Sequence, residues 1–212
     1  VGHAPCHSRG LRRARGPPKR SPERYCGGVR YEIDPSHSTL EIFTSADGLF
    51  ARLAHDLRLS AVASELSAER ADGAVSVRAR VRLGALRVDG VMKDGALREG
   101  VLSADDRAQI LTKMRAEVFG GQGEEAHVEL DGHLRGSSFS GTVRSPAGRS
   151  AKAHGTATTT SSTRGEKAVE DVTGSFELSL RELAGHDVKG PLGAFRVSDH
   201  VLVAFKARFV EA

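Results

Sequence analysis

The sequence predicts an all-β, mainly antiparallel protein of about eight strands, a barrel or a sandwich with one helical crossover insertion. The chain ends on Val201, Val203, Phe205, Ala207 and Phe209, which alternate with polar residues. Residues 31–43 open the body of the chain with the same alternation. A period of two is typical of a strand with one buried and one solvated face, and terminal strands of this kind can pair to close a barrel.

The strands between the two ends follow the same rule. Alternation marks residues 40–42, 57–61, 75–83, 127–134 and 176–180. Residues 139–143 and 151–160 are rich in Ser, Thr and Gly, which predicts edge or exposed strands. The pairs Asp89-Gly90 and Asp94-Gly95 are interpreted as turns.

One segment has helical spacing instead. Ser103 is a candidate N-cap, and Ile110, Met114 and Val118 follow on one face before Gly120-Gly121 ends the helix. We therefore expect one helix in a crossover of this barrel or sandwich.

Composition separates a basic extension from the body. Residues 1–30 hold eight basic residues and one acidic residue, a formal charge of +7, and the rest of the chain carries −3, so the net +4 of the chain arises from this segment. We expect residues 1–28 to be a disordered Arg/Pro/Gly-rich extension and residues 29–212 to be the barrel domain. Both cysteines, Cys6 and Cys26, lie in the extension, which excludes a thiol nucleophile or thiolate metal site in the body.

Several blocks, in order, resemble the YceI-like (lipocalin-like, polyisoprenoid-binding) family. They are Tyr31-x-Ile-Asp-Pro-x-His-Ser38, Leu53-Ala-His-Asp-Leu57, the helix from Asp105 to Val118, and Leu192-Gly-Ala-Phe-Arg-Val-Ser-Asp-His-Val-Leu-Val203. The resemblance implies a lipocalin-like extended β-barrel that holds a long apolar chain, such as a polyisoprenoid or a quinone, without catalysis and without a cofactor.

The candidate ligand-binding residues are inward apolar positions and two histidines: Val77, Val81, Phe176, Leu178, Val203, Phe205, Phe209, His55 and His186. The apolar set would line a lipid cavity, because such sites are mostly apolar. A barrel filled by its own side chains needs the same alternation. The frequent Ala and Gly on these strands favour a cavity.

His55-Asp56 and His186-Asp187 have two further interpretations. They would meet at the mouth of the barrel, as metal ligands or acid–base groups of an enzyme, or as donors to a ligand head group. Alternatively, each would close a strand end by hydrogen bonds to the backbone. His127, Glu129, Asp131 and His133 share strand parity, which predicts a solvated face because His127 and His133 are too far apart to share a metal.

The sequence therefore favours a lipid carrier over an enzyme. A nucleic-acid-binding role would rest on the basic extension alone, and we expect none. We expect no transmembrane segment and no secretory signal, which favours the cytoplasm over the periplasm. Exposed edge strands permit a homodimer without requiring one.

Overall fold

The computed structural model describes residues 29–47, 56–71, 73–165, 167–189 and 196–211, so the predicted extension lies outside the described residues. The strands are β1 (Val29–Thr44), β2 (Ala46–Asp47), β3 (Asp56–Ala61), β4 (Glu65–Ala71), β5 (Ala74–Arg82), β6 (Arg87–Lys93), β7 (Ala96–Arg98), β8 (His127–Arg135), β9 (Ser138–Arg144), β10 (Ser150–Arg164), β11 (Lys167–Ser179), β12 (Arg196–Val197) and β13 (His200–Glu211). The helices are α1 (Ala104–Glu117) and α2 (Leu180–Ala184).

Eight antiparallel strands close into a barrel, which confirms the predicted fold class. They follow the order β1-β4-β5-β8-β9-β10-β11-β13, and β13 returns to pair with β1. The closing register joins Tyr31 to Glu211 and Ile42 to Val203. The terminal strands of the described chain are thus neighbours, as their shared alternation predicted.

Strand β1 is long enough to pair with two different strands along one of its edges. The beginning of β1 pairs with β4, and its end pairs with β3. Strand β3 in turn pairs with β6, and β6 pairs with β7. The register shifts between Asp34 and Thr39, where the strand is irregular. The barrel wall therefore carries a three-stranded extension at one end.

Helix α1 begins and ends where the sequence predicts. The Ser103 hydroxyl accepts a hydrogen bond from the Asp106 N–H (3.1 Å), and the Asp106 carboxylate accepts one from the Ser103 N–H (2.9 Å). This reciprocal pair satisfies two backbone donors that the first turn leaves free. Beyond the helix, Gly120 and Gly121 adopt positive φ values of 64° and 74°, which glycine adopts without steric penalty.

Two sequence predictions were wrong. Residues 139–143 are not in an edge strand, because β9 pairs with β8 and β10 on its two sides. Asp89-Gly90 is not a turn but lies within β6, where a Cβ on Gly90 would stand 2.6 Å from the Arg98 carbonyl oxygen. Asp94-Gly95 does form the turn between β6 and β7, with positive φ at both residues.

The prediction of an edge strand at residues 151–160 holds only from Thr158 onward. Strand β10 pairs with β9 as far as Thr156, and from Thr158 to Arg164 it pairs with β11 alone. The outer half of β10 is therefore an exposed edge. No helix in the described parts of the chain is long and apolar enough to cross a membrane.

Candidate ligand-binding cavity

The interior of the barrel is an apolar cavity of about 1020 Å³. Most of its lining comes from alternate, inward-facing residues of the barrel strands, and residues of β3 and α1 complete it. Along β13 the lining runs from Val201 to Phe209. A strand rises about 3.3 Å per residue, so this stretch spans roughly 26 Å. The cavity is thus elongated, and its volume lies near the upper end of the ordinary range for ligand sites.

All seven apolar residues that the sequence singled out line this cavity: Val77, Val81, Phe176, Leu178, Val203, Phe205 and Phe209. Strand alternation explains the agreement, because residues directly opposite in an antiparallel pair share a face. Phe176 pairs with Val203, and Leu178 pairs with Val201. Their contact with a ligand stays a prediction.

Three phenylalanine rings form a cluster in the barrel interior. The ring centroids of Phe139 and Phe176 are 5.3 Å apart, and the Phe205 ring lies 6.0 Å and 6.1 Å from them. These spacings are typical of tilted aromatic pairs. All three rings border the cavity, so a chain that runs along the barrel would pass them.

Helix α1 forms part of the wall at the end of the cavity where β3 and β6 extend the barrel. Ile110, Met114 and Val118 line the cavity, as their helical spacing allows. The Arg107 guanidinium donates to the carbonyls of Asp89 (3.2 Å) and Glu99 and so fixes the helix to the neighbouring sheet. The helix therefore covers a part of the interior that strands leave open.

The opposite end of the cavity is polar, which the sequence did not predict. Glu170 is 7% exposed, and its carboxylate accepts hydrogen bonds from the Tyr31 hydroxyl (3.2 Å) and from Arg70 Nη2 (2.5 Å). Burial of Tyr31 and the charge of Glu170 raise the pKa of the Tyr31 hydroxyl. Alternation along β11 could have revealed the inward position of Glu170, because Glu170 lies on the same face of the strand as Val172, Phe176 and Leu178.

The two candidate histidines differ in what the structure describes. His55 lies outside the described residues. His186 is exposed, and its Nε2 lies 3.1 Å from a carboxylate oxygen of Glu117, the last residue of α1. Asp187 pairs with the guanidinium groups of Arg181 (2.7 Å) and Arg196 (3.1 Å). His186 and Asp187 thus contact charged side chains of other elements.

Within the described ranges, no group of three or more His, Cys, Asp or Glu side chains could hold a metal ion. The predicted solvated face of β8 lies on the outside of the barrel. Asp131 pairs with Arg144, Glu129 with Arg80 (3.3 Å), and His133 Nδ1 with the Ser76 hydroxyl (3.2 Å). These residues form a ladder of cross-strand pairs rather than a ligand site.

The fold and the site together define a closed antiparallel β-barrel with an internal apolar cavity. No family model matches the chain, and no curated protein matches it. Among solved structures, the chain is similar to the crystal structure of Burkholderia cenocepacia BcnA, with a TM-score of 0.49 and 10% sequence identity. The match covers 84% of this chain and 99% of that chain.

Proposed function

We propose that the protein binds and carries a long-chain apolar ligand, a polyisoprenoid, a quinone or a similar lipid, without catalysis. The observation that supports this proposal most directly is the elongated cavity of about 1020 Å³. A compact ligand would leave much of that length unfilled, whereas an extended chain contacts the lining along the whole barrel.

The chemistry of the lining supports an apolar ligand. Val77, Val81, Phe176, Leu178, Val203, Phe205 and Phe209 carry no nucleophile and no acid–base group, and they present only hydrocarbon. Burying one methylene contributes about 0.8 kcal/mol, so a long chain would bind firmly without strong polar contacts. Specificity would then depend on the length of the cavity and on polar groups at its ends.

The test is native mass spectrometry of the full chain purified from a bacterial host, followed by organic extraction and identification of the lipid. We expect a co-purified long-chain species at one molecule per chain. A clean apo mass that persists after incubation with a series of polyprenyl alcohols and quinones would contradict the proposal.

A matched pair of variants connects the ligand to the cavity. Ala207 is buried and lines the cavity, so Ala207→Phe would fill part of it. Ala204 has the opposite parity on the same strand and is directly opposite Glu41 and Ser175. We expect Ala207→Phe to lose the bound lipid and Ala204→Phe to retain it, with both variants folded by circular dichroism. Equal lipid occupancy in the two variants would show that the lipid binds elsewhere.

A further inference from the structure

The outer half of β10, from Thr158 to Arg164, is a strand edge that lacks the usual protection. It pairs with β11 on one side, and no described strand pairs with its other side. Natural edges are blocked by short length, proline, bulges or charged side chains. This edge consists of Thr and Ser up to Arg164, all exposed, and it keeps one register with β11 throughout. It is therefore open to another strand.

The direction of the backbone defines which groups this edge presents. The Ala157 N–H donates to the Ser137 carbonyl oxygen (3.0 Å), so it points away from β11. Backbone groups alternate between the two sides of a strand, and the unbroken register of β10 with β11 carries this alternation onward. The N–H and C=O groups of Thr159, Ser161 and Thr163 therefore point to the free edge, where no described strand pairs with them.

We propose that this edge pairs with the same edge of a second copy of the chain, antiparallel and with Ser161 on the two-fold axis. In that register Ser161 faces its own counterpart, and Thr159 faces Thr163 of the second copy. Three residues of each copy donate one N–H and accept at one C=O, so six hydrogen bonds satisfy every free backbone group. The contact is isologous, as in most homodimers, and it does not depend on the proposed function.

The two ends of the free edge fit this register. At one end Gly165, with a φ of 66°, lies in the turn from β10 to β11. At the other end Ser137 covers the edge beside Ala157. Arg164 of the second copy would be opposite Thr158, so the second chain turns away where Ser137 begins to cover the edge. The two strands therefore overlap along their whole free length.

The charges along the edge favour a second copy as the partner. Arg164 is the only charged residue from Thr158 to Arg164. In the dimer the two Arg164 residues would be separated by six residues along the strands, roughly 20 Å. That distance exceeds the screening length at physiological salt, about 8 Å. Self-pairing thus brings no like charges together, whereas a charged partner strand would find no complementary charges here.

Sedimentation velocity of the full chain over a concentration series tests the dimer, with a reducing agent present because of Cys6 and Cys26. We expect a monomer–dimer equilibrium with a dissociation constant on the order of 10–100 µM, as six neutral hydrogen bonds would give. Ser161→Pro removes the N–H on the axis at a position where an edge strand tolerates proline. It should raise that constant about tenfold or more. The matched control Ser161→Ala keeps the N–H and should leave the constant unchanged.

Two outcomes of this experiment would overturn the inference. A wild-type chain that stays monomeric up to about 1 mM would leave the edge to a strand of another protein. Assemblies that grow beyond the dimer would show a contact between different edges, which does not close.

A cysteine scan tests the register even if Ser161→Pro fails to fold. In a Cys6→Ser/Cys26→Ser background, Ser161→Cys places the two Cα atoms about 5.5 Å apart, within disulfide range. Ser162 would face Thr160 of the second copy, so the two Ser162 Cα atoms lie more than about 7 Å apart, too far for a disulfide. On non-reducing gels after mild oxidation, we expect a covalent dimer from Ser161→Cys and a monomer from Ser162→Cys. Equal cross-linking of the two variants would contradict the proposed register.

Discussion

Asp199 organises the junction between β11, α2 and β13. Its carboxylate accepts hydrogen bonds from the Ser179 hydroxyl (2.8 Å) and from the Arg181 N–H (2.7 Å). Partial burial acts to raise the pKa of Asp199. These two hydrogen bonds, with the charges of Arg181 and His200, outweigh that effect and lower the pKa below its ordinary value. The charged form of Asp199 therefore stabilises the fold.

The lowered pKa of Asp199 predicts a loss of stability in acid. The contribution is fully present above the unfolded-state pKa, about 3.9, and is lost as the pH falls through the folded-state value. Asp199→Asn retains an oxygen acceptor but does not titrate. We expect the difference in unfolding free energy between wild type and Asp199→Asn to narrow as the pH is lowered from 6 to about 3. Urea unfolding at each pH measures it.

The matched control for Asp199 is Glu177→Gln, which neutralises an exposed carboxylate on the outer face of β11. This variant should follow the wild-type pH dependence closely. A constant difference between wild type and Asp199→Asn across the whole pH range would show that the carboxylate charge does not contribute through its lowered pKa.

Individual lining residues were predictable where side-chain type and strand parity agree. Phe205 and Phe209 are apolar at inward positions, so alternation alone identified them. Glu170 and Arg70 are charged at inward positions, so hydropathy assigned them to no face. The register of β11 with β13 and of β4 with β1 was needed to bring these two residues together. Pairing partners far apart in sequence are not encoded in the local pattern.

At the scale of the element, α1 covers part of the cavity and depends on its first turn. The capping box of Ser103 and Asp106 fixes that turn, and the Ser103 hydroxyl bond lowers the pKa of Asp106. Ser103→Ala removes the capping acceptor, which costs about 1 kcal/mol. We expect a lower melting temperature and faster amide hydrogen exchange in residues 104–110.

A conservative variant distinguishes lost capping from other effects at Ser103. Ser103→Asn keeps a side-chain acceptor that favours the N-cap position and should retain wild-type exchange rates in α1. Unchanged exchange in Ser103→Ala would mean that contacts of α1 with the barrel, rather than the capping box, hold its first turn.

The two halves of β10 show why an element can be predicted only in part. Its composition indicates an exposed edge, and from Thr158 onward the strand has one neighbour. Its first half carries Ala151, Ala153 and Ala157, all buried. Small residues at inward positions are compatible with an exposed strand or with the wall of a hollow barrel. The sequence cannot distinguish these two without the pairing partner β9.

At the scale of the molecule, closure was predictable from the terminal strands, whereas alternation alone did not predict the hollow interior, which only the frequent Ala and Gly favoured. The terminal strands share one pattern and pair along most of their length, so the fold class followed from the ends of the body. A filled barrel and an empty one need the same alternation. What decides between them is the summed size of the inward side chains, and Ala61, Ala68 and Ala207 leave space that larger residues would fill.

A ligand that occupies such a cavity should stabilise the whole barrel. Binding to the folded state alone adds about 2.7 kcal/mol at a ligand concentration one hundred times the Kd. For a chain of 212 residues, that corresponds to a rise in melting temperature of roughly 5–10 °C. We expect the delipidated full chain to show this rise when a polyprenyl alcohol is added, as measured by differential scanning calorimetry.

The cavity-filling variant Ala207→Phe tests whether the ligand raises the melting temperature by binding inside the barrel. Ala207→Phe should melt at nearly the same temperature with and without the alcohol, because the ligand has lost its space. Ala204→Phe, with its substitution on the opposite face of β13, should show the full shift. A shift of equal size in both variants would mean that the alcohol stabilises the barrel from its outer surface, and the carrier role of the interior would then be wrong.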